Sequence, residues 1–172
     1  WPLFYRNRQE PELYNLFFRT AWECIQDVIC TVRRKKLKCG CLMVLHTTGR
    51  KSDYKPHLHV LLMDGRLEES SGRWIKFGKF PYEIMRNKWK YYLLKMIKEF
   101  SPTRQTIWLV NRLWRIYDSG FVFNILKGEL PENTRRLTRY IAKYLFRPSI
   151  SLRRIRKYNE IKRTVTYEYL CH

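Results

Sequence analysis

Acidic side chains are scarce in this chain of 172 residues: 15 Asp and Glu stand against 35 Lys and Arg, leaving a formal charge of +20. A domain this small with so one-sided a charge repels itself unless a polyanion neutralises it. Nucleic acid is the polyanion expected, because a membrane surface is better served by one basic amphipathic helix than by charge spread along the chain. Long apolar runs are missing as well. None approaches the ~20 residues of a membrane helix, and the longest, around Cys41 to Leu45, has the length of a strand. The opening Trp-Pro-Leu-Phe-Tyr-Arg lacks the charged start and apolar stretch of a secretory signal. It also lacks an initiating Met, from which we expect a piece of a longer chain. No internal repeat, low-complexity tract or linker is visible. The 5 cysteines are odd in number, and their closest pair, Cys39 and Cys41, has C-x-C rather than zinc-knuckle spacing. Free thiols in a reducing cytosol are therefore expected.

What is present argues for a folded domain. Hydrophobic residues make up 45% and aromatics 16%, too much for disorder, and the length suits a single domain over residues 1–172. Leu13, Phe17, Ala21, Cys24, Val28 and Val32 recur at three- and four-residue steps, which predicts a helix from Pro11 to about Lys36. Cys39 to Thr47 reads as a buried strand, and His57 to Met63 as a second, antiparallel to it across a polar loop. Trp74 to Phe77 and Gly120 to Ile125 are strand-like. Helices are predicted for Pro81–Phe100, Thr103–Tyr117 and Pro131–Phe146. Two tail strands, Ile150–Tyr158 and Thr164–Leu170, flank a turn at Asn159-Glu160. The fold class expected is α+β, an antiparallel sheet with helices packed on it.

The chemistry-bearing residues are few enough to weigh singly. Only 4 histidines occur, and three lie between positions 46 and 59. His57 and His59 are two apart on a strand, hence on one face and within reach of one metal ion. His46 ends the preceding strand and completes a three-histidine set. Alternatively, these are ordinary strand residues making hydrogen bonds. Tyr140 and Tyr144, at i and i+4 on a helix, point both hydroxyls to one side, or else continue the apolar stripe of Leu137, Ile141 and Leu145. A free tyrosine has a pKa near 10, so nucleophilic use at neutral pH needs a nearby cation. Lys143 between the two could serve, or could face the solvent or a DNA backbone. From residue 135 to 163 the basic residues Arg135, Arg136, Arg139, Lys143, Arg147, Arg153, Arg154, Arg156, Lys157, Lys162 and Arg163 face one acid, Glu160. That density favours a groove tracking phosphates.

Taken in order, Leu45-His46-Thr47, Pro56-His57-Leu58-His59, then Tyr140-x3-Tyr144 followed by Pro148-x-Ile150-Ser151 resemble the HUH endonucleases. The likeness is nearest to the two-tyrosine transposases of rolling-circle bacterial insertion sequences, distant relatives of the Helitron transposases, and runs from Phe4 to Tyr169. The resemblance implies nicking and rejoining of single-stranded DNA at transposon ends, in a prokaryotic cytoplasm and at the nucleoid. It implies one divalent ion, Mg²⁺ or Mn²⁺, held by His57 and His59 with His46 as third ligand, and nucleophiles Tyr140 and Tyr144. Such relatives usually carry a cysteine-rich zinc-binding module upstream, which this chain lacks, and their first strand would fall at or before Trp1-Pro2. Three other readings remain open at this level: a plasmid replication initiator or relaxase of the same chemistry, a non-catalytic basic nucleic-acid-binding domain, and a three-histidine zinc hydrolase.

Overall fold

Apolar spacing at the helical period is what builds most of this molecule. The computed structural model describes residues 2–33, 39–49, 53–68, 71–78, 81–124, 133–145 and 154–168. The predicted first helix is α2 (Pro11–Arg33), preceded by a short helix not foreseen from sequence, α1 (Pro2–Arg6). Leu13, Phe17, Ala21, Cys24 and Val28 of α2 are all buried. They meet α3 (Tyr82–Phe100), whose Met85, Leu93, Leu94, Met96 and Ile97 are buried in turn. Phe17 sits between Phe4 and Trp89, ring centroids 5.0 and 5.7 Å away. Phe17→Ala removes a fully enclosed ring and is expected to cost about 3–5 kcal/mol, read as a lowered denaturant midpoint at unchanged slope. At the edge of this contact Asp27 accepts hydrogen bonds from Lys88 Nζ and from the Tyr92 hydroxyl, the latter at 3.1 Å. Desolvation, reinforced by Asp27, pushes the Tyr92 hydroxyl up to about 12, so it remains a donor.

Helix α4 (Arg104–Ile116) follows, capped by Thr103, whose Oγ1 accepts from the Thr106 N–H. Its other end is fixed by Lys90, buried on α3, which donates to the carbonyls of Tyr117 and Asp118 and lies 4.4 Å from the centre of the Trp114 ring. A cation there complements the negative end of the helix dipole.

The strands are antiparallel, as expected, and among the described residues they pair in three two-stranded ladders. Each joins neighbours in sequence, the pairing with the smallest loop-closure cost. β1 (Cys41–Thr48) pairs with β2 (Tyr54–Leu62); hydrogen bonds from Gly49 to Asp53 and from Met63 to Gly40 close the two ends of this hairpin. β3 (Gly65–Leu67) runs from Gly65 opposite Lys76 to Leu67 opposite Trp74 on β4 (Trp74–Lys76). After α5 (Thr134–Leu145) come β5 (Ile155–Asn159) and β6 (Thr164–Tyr167), in register from Ile155 opposite Tyr167 to Asn159 opposite Thr164.

Besides the unforeseen α1 and β3, sequence and structure differ in three places. Gly120–Asn124, read as part of a strand, forms none, because Arg86 occupies its polar groups: Phe121 N–H donates to the Arg86 carbonyl and Arg86 Nε donates back to the Phe121 carbonyl. Gly120 there has φ +84 and its missing Cβ would stand 2.6 Å from the Arg86 carbonyl carbon, so only glycine fits. β2 starts at Tyr54 rather than His57, running through Pro56, which a two-stranded ladder tolerates on its unpaired edge. α5 starts at Thr134, and residues 146–153, expected to end that helix and open the tail strand, lie outside the described residues.

The chain divides into two compact units. One comprises Pro2–Met43 and Val60–Lys127, with a core of Cys24, Ile25, Val28, Ile29, Phe77 and Met85. The other comprises Val44–His59 and Gly128–His172. Cys24, Cys30, Cys39 and Cys41 are free thiols, and burial pushes Cys24 up to about 12, as suits a small hydrophobe. Among the described residues no helix is long and apolar enough to cross a membrane.

Candidate active site

Alternation along β2 places His57 and His59 on one face, and the hairpin brings His46 of β1 beside them. The imidazole centroids are 5.1 Å apart for His57 and His59, 4.3 Å for His46 and His59, and 5.6 Å for His46 and His57. All three rings are half-buried, and one nitrogen from each lies within 4.8 Å of the others. Two nitrogens bound to one first-row cation at ~2.1 Å each stand at most about 4.2 Å apart, so small ring rotations fit this set to a single ion. One tautomer is set by the backbone. His57 Nδ1 lies 2.7 Å from the Lys55 carbonyl; a carbonyl only accepts, so Nδ1 carries the proton and Nε2 keeps its lone pair for a cation. Sequence reasoning missed Lys55 in this role, since the group involved is a main-chain oxygen that any residue supplies.

The tyrosine helix belongs to the same compact unit as the three histidines. The Asn133 Oδ1 accepts from the N–H groups of Arg135 at 2.9 Å and Arg136 at 3.3 Å, which is why α5 starts here and not at Pro131. Asn is among the best helix caps, so the signal was in the sequence. Arg135, Arg136 and Arg139 are exposed and Tyr140 is half-buried. No acid occupies the first turn of α5; two arginines at the positive end of a helix dipole repel it, and an anion bound there relieves the repulsion. Lys143 and Tyr144 lie on the last turns of α5, and their side chains are outside the described set. Arg147 and Arg153 also lie outside the described residues.

On the β5–β6 hairpin Arg154, Arg156 and Lys157 are exposed. Arg156 is already engaged, donating to Glu168. That hydrogen bond holds the Glu168 carboxyl below its ordinary value and raises the guanidinium. A depressed carboxylate pKa makes the pair fully present at neutral pH and lost only as the pH falls through the lowered value. At neutral pH Arg156 is thus less available to a phosphate than Arg154 or Lys157.

Residues 40–172 match the Y2_Tnp family model, a family of transposases. The matched span holds every histidine and tyrosine discussed above. The chain belongs to this transposase family. It is also similar to the transposase for insertion sequence element IS801 of Pseudomonas savastanoi pv. phaseolicola, 30% identical over 181 aligned positions that take in 100% of this chain. The chain spans 42% of the length of that curated relative. No solved structure matches. The three clustered imidazoles and the basic helix that carries Tyr140 and Tyr144 belong to the same compact unit.

Proposed function

We propose that this transposase domain nicks and rejoins single-stranded DNA through a covalent tyrosine–phosphate bond, as the resemblance to HUH endonucleases implies. The observation that carries this reading is the convergence of His46, His57 and His59, in the unit that also holds α5. A divalent ion, Mg²⁺ or Mn²⁺, is the fitting guest, and when bound it supplies Lewis-acid polarisation of the scissile phosphate. The chain's own residues do the rest. The Tyr140 or Tyr144 oxygen attacks phosphorus, its proton passing to solvent. The bond from phosphorus to the upstream 3′-oxygen breaks, and that oxygen leaves as a 3′-hydroxyl after taking a proton. The downstream strand is then held by its 5′-phosphate on tyrosine. Because one phosphodiester replaces another, the step is reversible, and a 3′-hydroxyl from the same or another strand can release the protein. Arg135, Arg136, Arg139, Arg154 and Lys157, with Arg147, Arg153 and Arg156, are assigned to the phosphates of the strand on either side, and Lys143 to the developing phenolate. Such a protein works in the cytoplasm, on the single-stranded ends of its element.

The test is an adduct gel. Labelled single-stranded DNA carrying an end of the element is incubated with the protein and Mn²⁺, then run under denaturing conditions with and without protease. A protease-sensitive shifted band that chelator removes is the expected result. Cleavage without any covalent band would replace tyrosine chemistry with hydrolysis by water at the three-histidine site.

A further inference from the structure

Helix α4 presents a face that its own packing does not use. Of its residues only Thr106 is buried, with Leu109, Val110 and Leu113 half-buried beside it. At about 100° per residue these four share one side of the helix. Arg104, Trp108, Asn111, Arg112 and Arg115 fall on the other, and all five are exposed. Trp108, 61% exposed, stands in the middle of this stripe, and the Arg112 guanidinium lies 5.2 Å from its ring centroid. The guanidinium covers one face of the indole and leaves the second to a ligand.

Three local conflicts mark the stripe as built for something outside the fold. Arg104 opens the helix at the positive end of its dipole, and no acid offsets it in the first turn. Arg112 and Arg115, three apart, repel along the same face. A large aromatic ring lies in water among three cations. One chemical class of ligand removes all three at once: a chain of phosphates carrying unpaired bases. A duplex answers the charge but keeps its bases stacked inside, with no ring face to offer the indole. The mount is rigid, since the Thr103 cap and the Lys90 clamp hold the two ends of α4, so little ordering is lost on binding.

We infer that the outward stripe of α4 is a sequence-independent platform for single-stranded DNA, with a base stacked on Trp108 and flanking phosphates held by Arg104, Arg112 and Arg115. The inference rests on the proposed substrate class and adds a second binding surface, on the unit that does not carry the histidines and the tyrosine helix. It gives that unit a part in holding the strand, separate from cutting it.

The test is fluorescence anisotropy of labelled oligothymidine, and of a duplex of equal length, in chelator-containing buffer with the whole chain. Trp108→Ala, a surface change whose fold is checked by circular dichroism, is expected to weaken single-strand binding by about tenfold or more. Trp108→Phe restores most of it, and duplex binding changes little. Changing Arg104, Arg112 and Arg115 together to Gln is expected to lower the slope of log affinity against log salt by about two on single strands. Single-strand affinity within about twofold of the unsubstituted chain in Trp108→Ala, against the stacking magnitude just used, overturns the platform alone. So does an equal loss on both DNA forms, or a change in sedimentation instead of affinity, which would make the stripe a protein-docking face. An unsubstituted chain that binds no oligothymidine overturns the substrate class itself, and the platform with it.

Discussion

Changing Tyr140 and Tyr144 together to Phe abolishes the covalent protein–DNA band, by a factor on the order of 10³ or more, while single-strand binding stays close to that of the unsubstituted chain. The substitution removes two hydroxyls and leaves both rings, so the packing of α5 changes little. Tyr140 is half-buried, and a ring in that setting contributes mostly apolar contact, which Phe keeps. The single variants carry the sharper information. On the proposed two-tyrosine mechanism, one tyrosine holds the first strand while the other cuts the second. At least one single Phe variant should therefore still form an adduct, and neither should complete strand transfer between two DNA ends. A double variant with a full-strength band would move the nucleophile elsewhere, and full strand transfer by both single variants would make one tyrosine sufficient.

α2, α3 and α4 were legible because their apolar positions recur at the helical period over three or more turns, and burial follows that period from Leu13 to Val28 and from Met85 to Ile97. Thr103 was recognisable as the start of α4. α1 was not, because five residues are too few to show a period. β3 was missed for the same reason, being three residues long and defined only by its partner β4. Gly120–Asn124 looked like a strand on composition, but a strand needs an edge to pair with, and Arg86 had already taken its polar groups. In the candidate site, His57 and His59 followed from a period of two within one strand. The approach of His46 depended on hairpin register, which the short polar loop suggested and the end hydrogen bonds at Gly49 and Gly40 fix. The stripe on α4 was beyond single-residue reading: the sequence alone does not show that Trp108 is exposed, and the buried position of Thr106 fixes which way it points.

Removal of divalent metal should stop adduct formation while leaving DNA binding largely intact, and Mn²⁺ should restore it at lower concentration than Mg²⁺. The reason lies in the donor set. Three imidazoles offer nitrogen alone, and imidazole suits first-row transition ions, whereas Mg²⁺ favours carboxylate, carbonyl and water oxygens. Among the described residues no carboxylate joins the cluster of His46, His57 and His59, so nothing in it tilts the balance back toward Mg²⁺. Loss of one ligand should then be felt in the metal first. His57→Ala, His59→Ala and His46→Ala are each expected to weaken Mn²⁺ binding at least about tenfold, the scale on which even ligand-supporting groups act, measured by titration calorimetry without DNA. Because all three rings are only half-buried, the variants should stay folded, and circular dichroism checks this. His57 has a distinct signature: its Nδ1–H is committed to the Lys55 carbonyl, so Nε2 is the nitrogen left for an ion. A His57→Gln variant, which keeps a polar side chain but loses that orienting hydrogen bond, should recover binding only weakly. Unchanged Mn²⁺ affinity in all three alanine variants would show that the cluster is not the metal site, and chelator-insensitive adduct formation would show that the reaction proceeds without one.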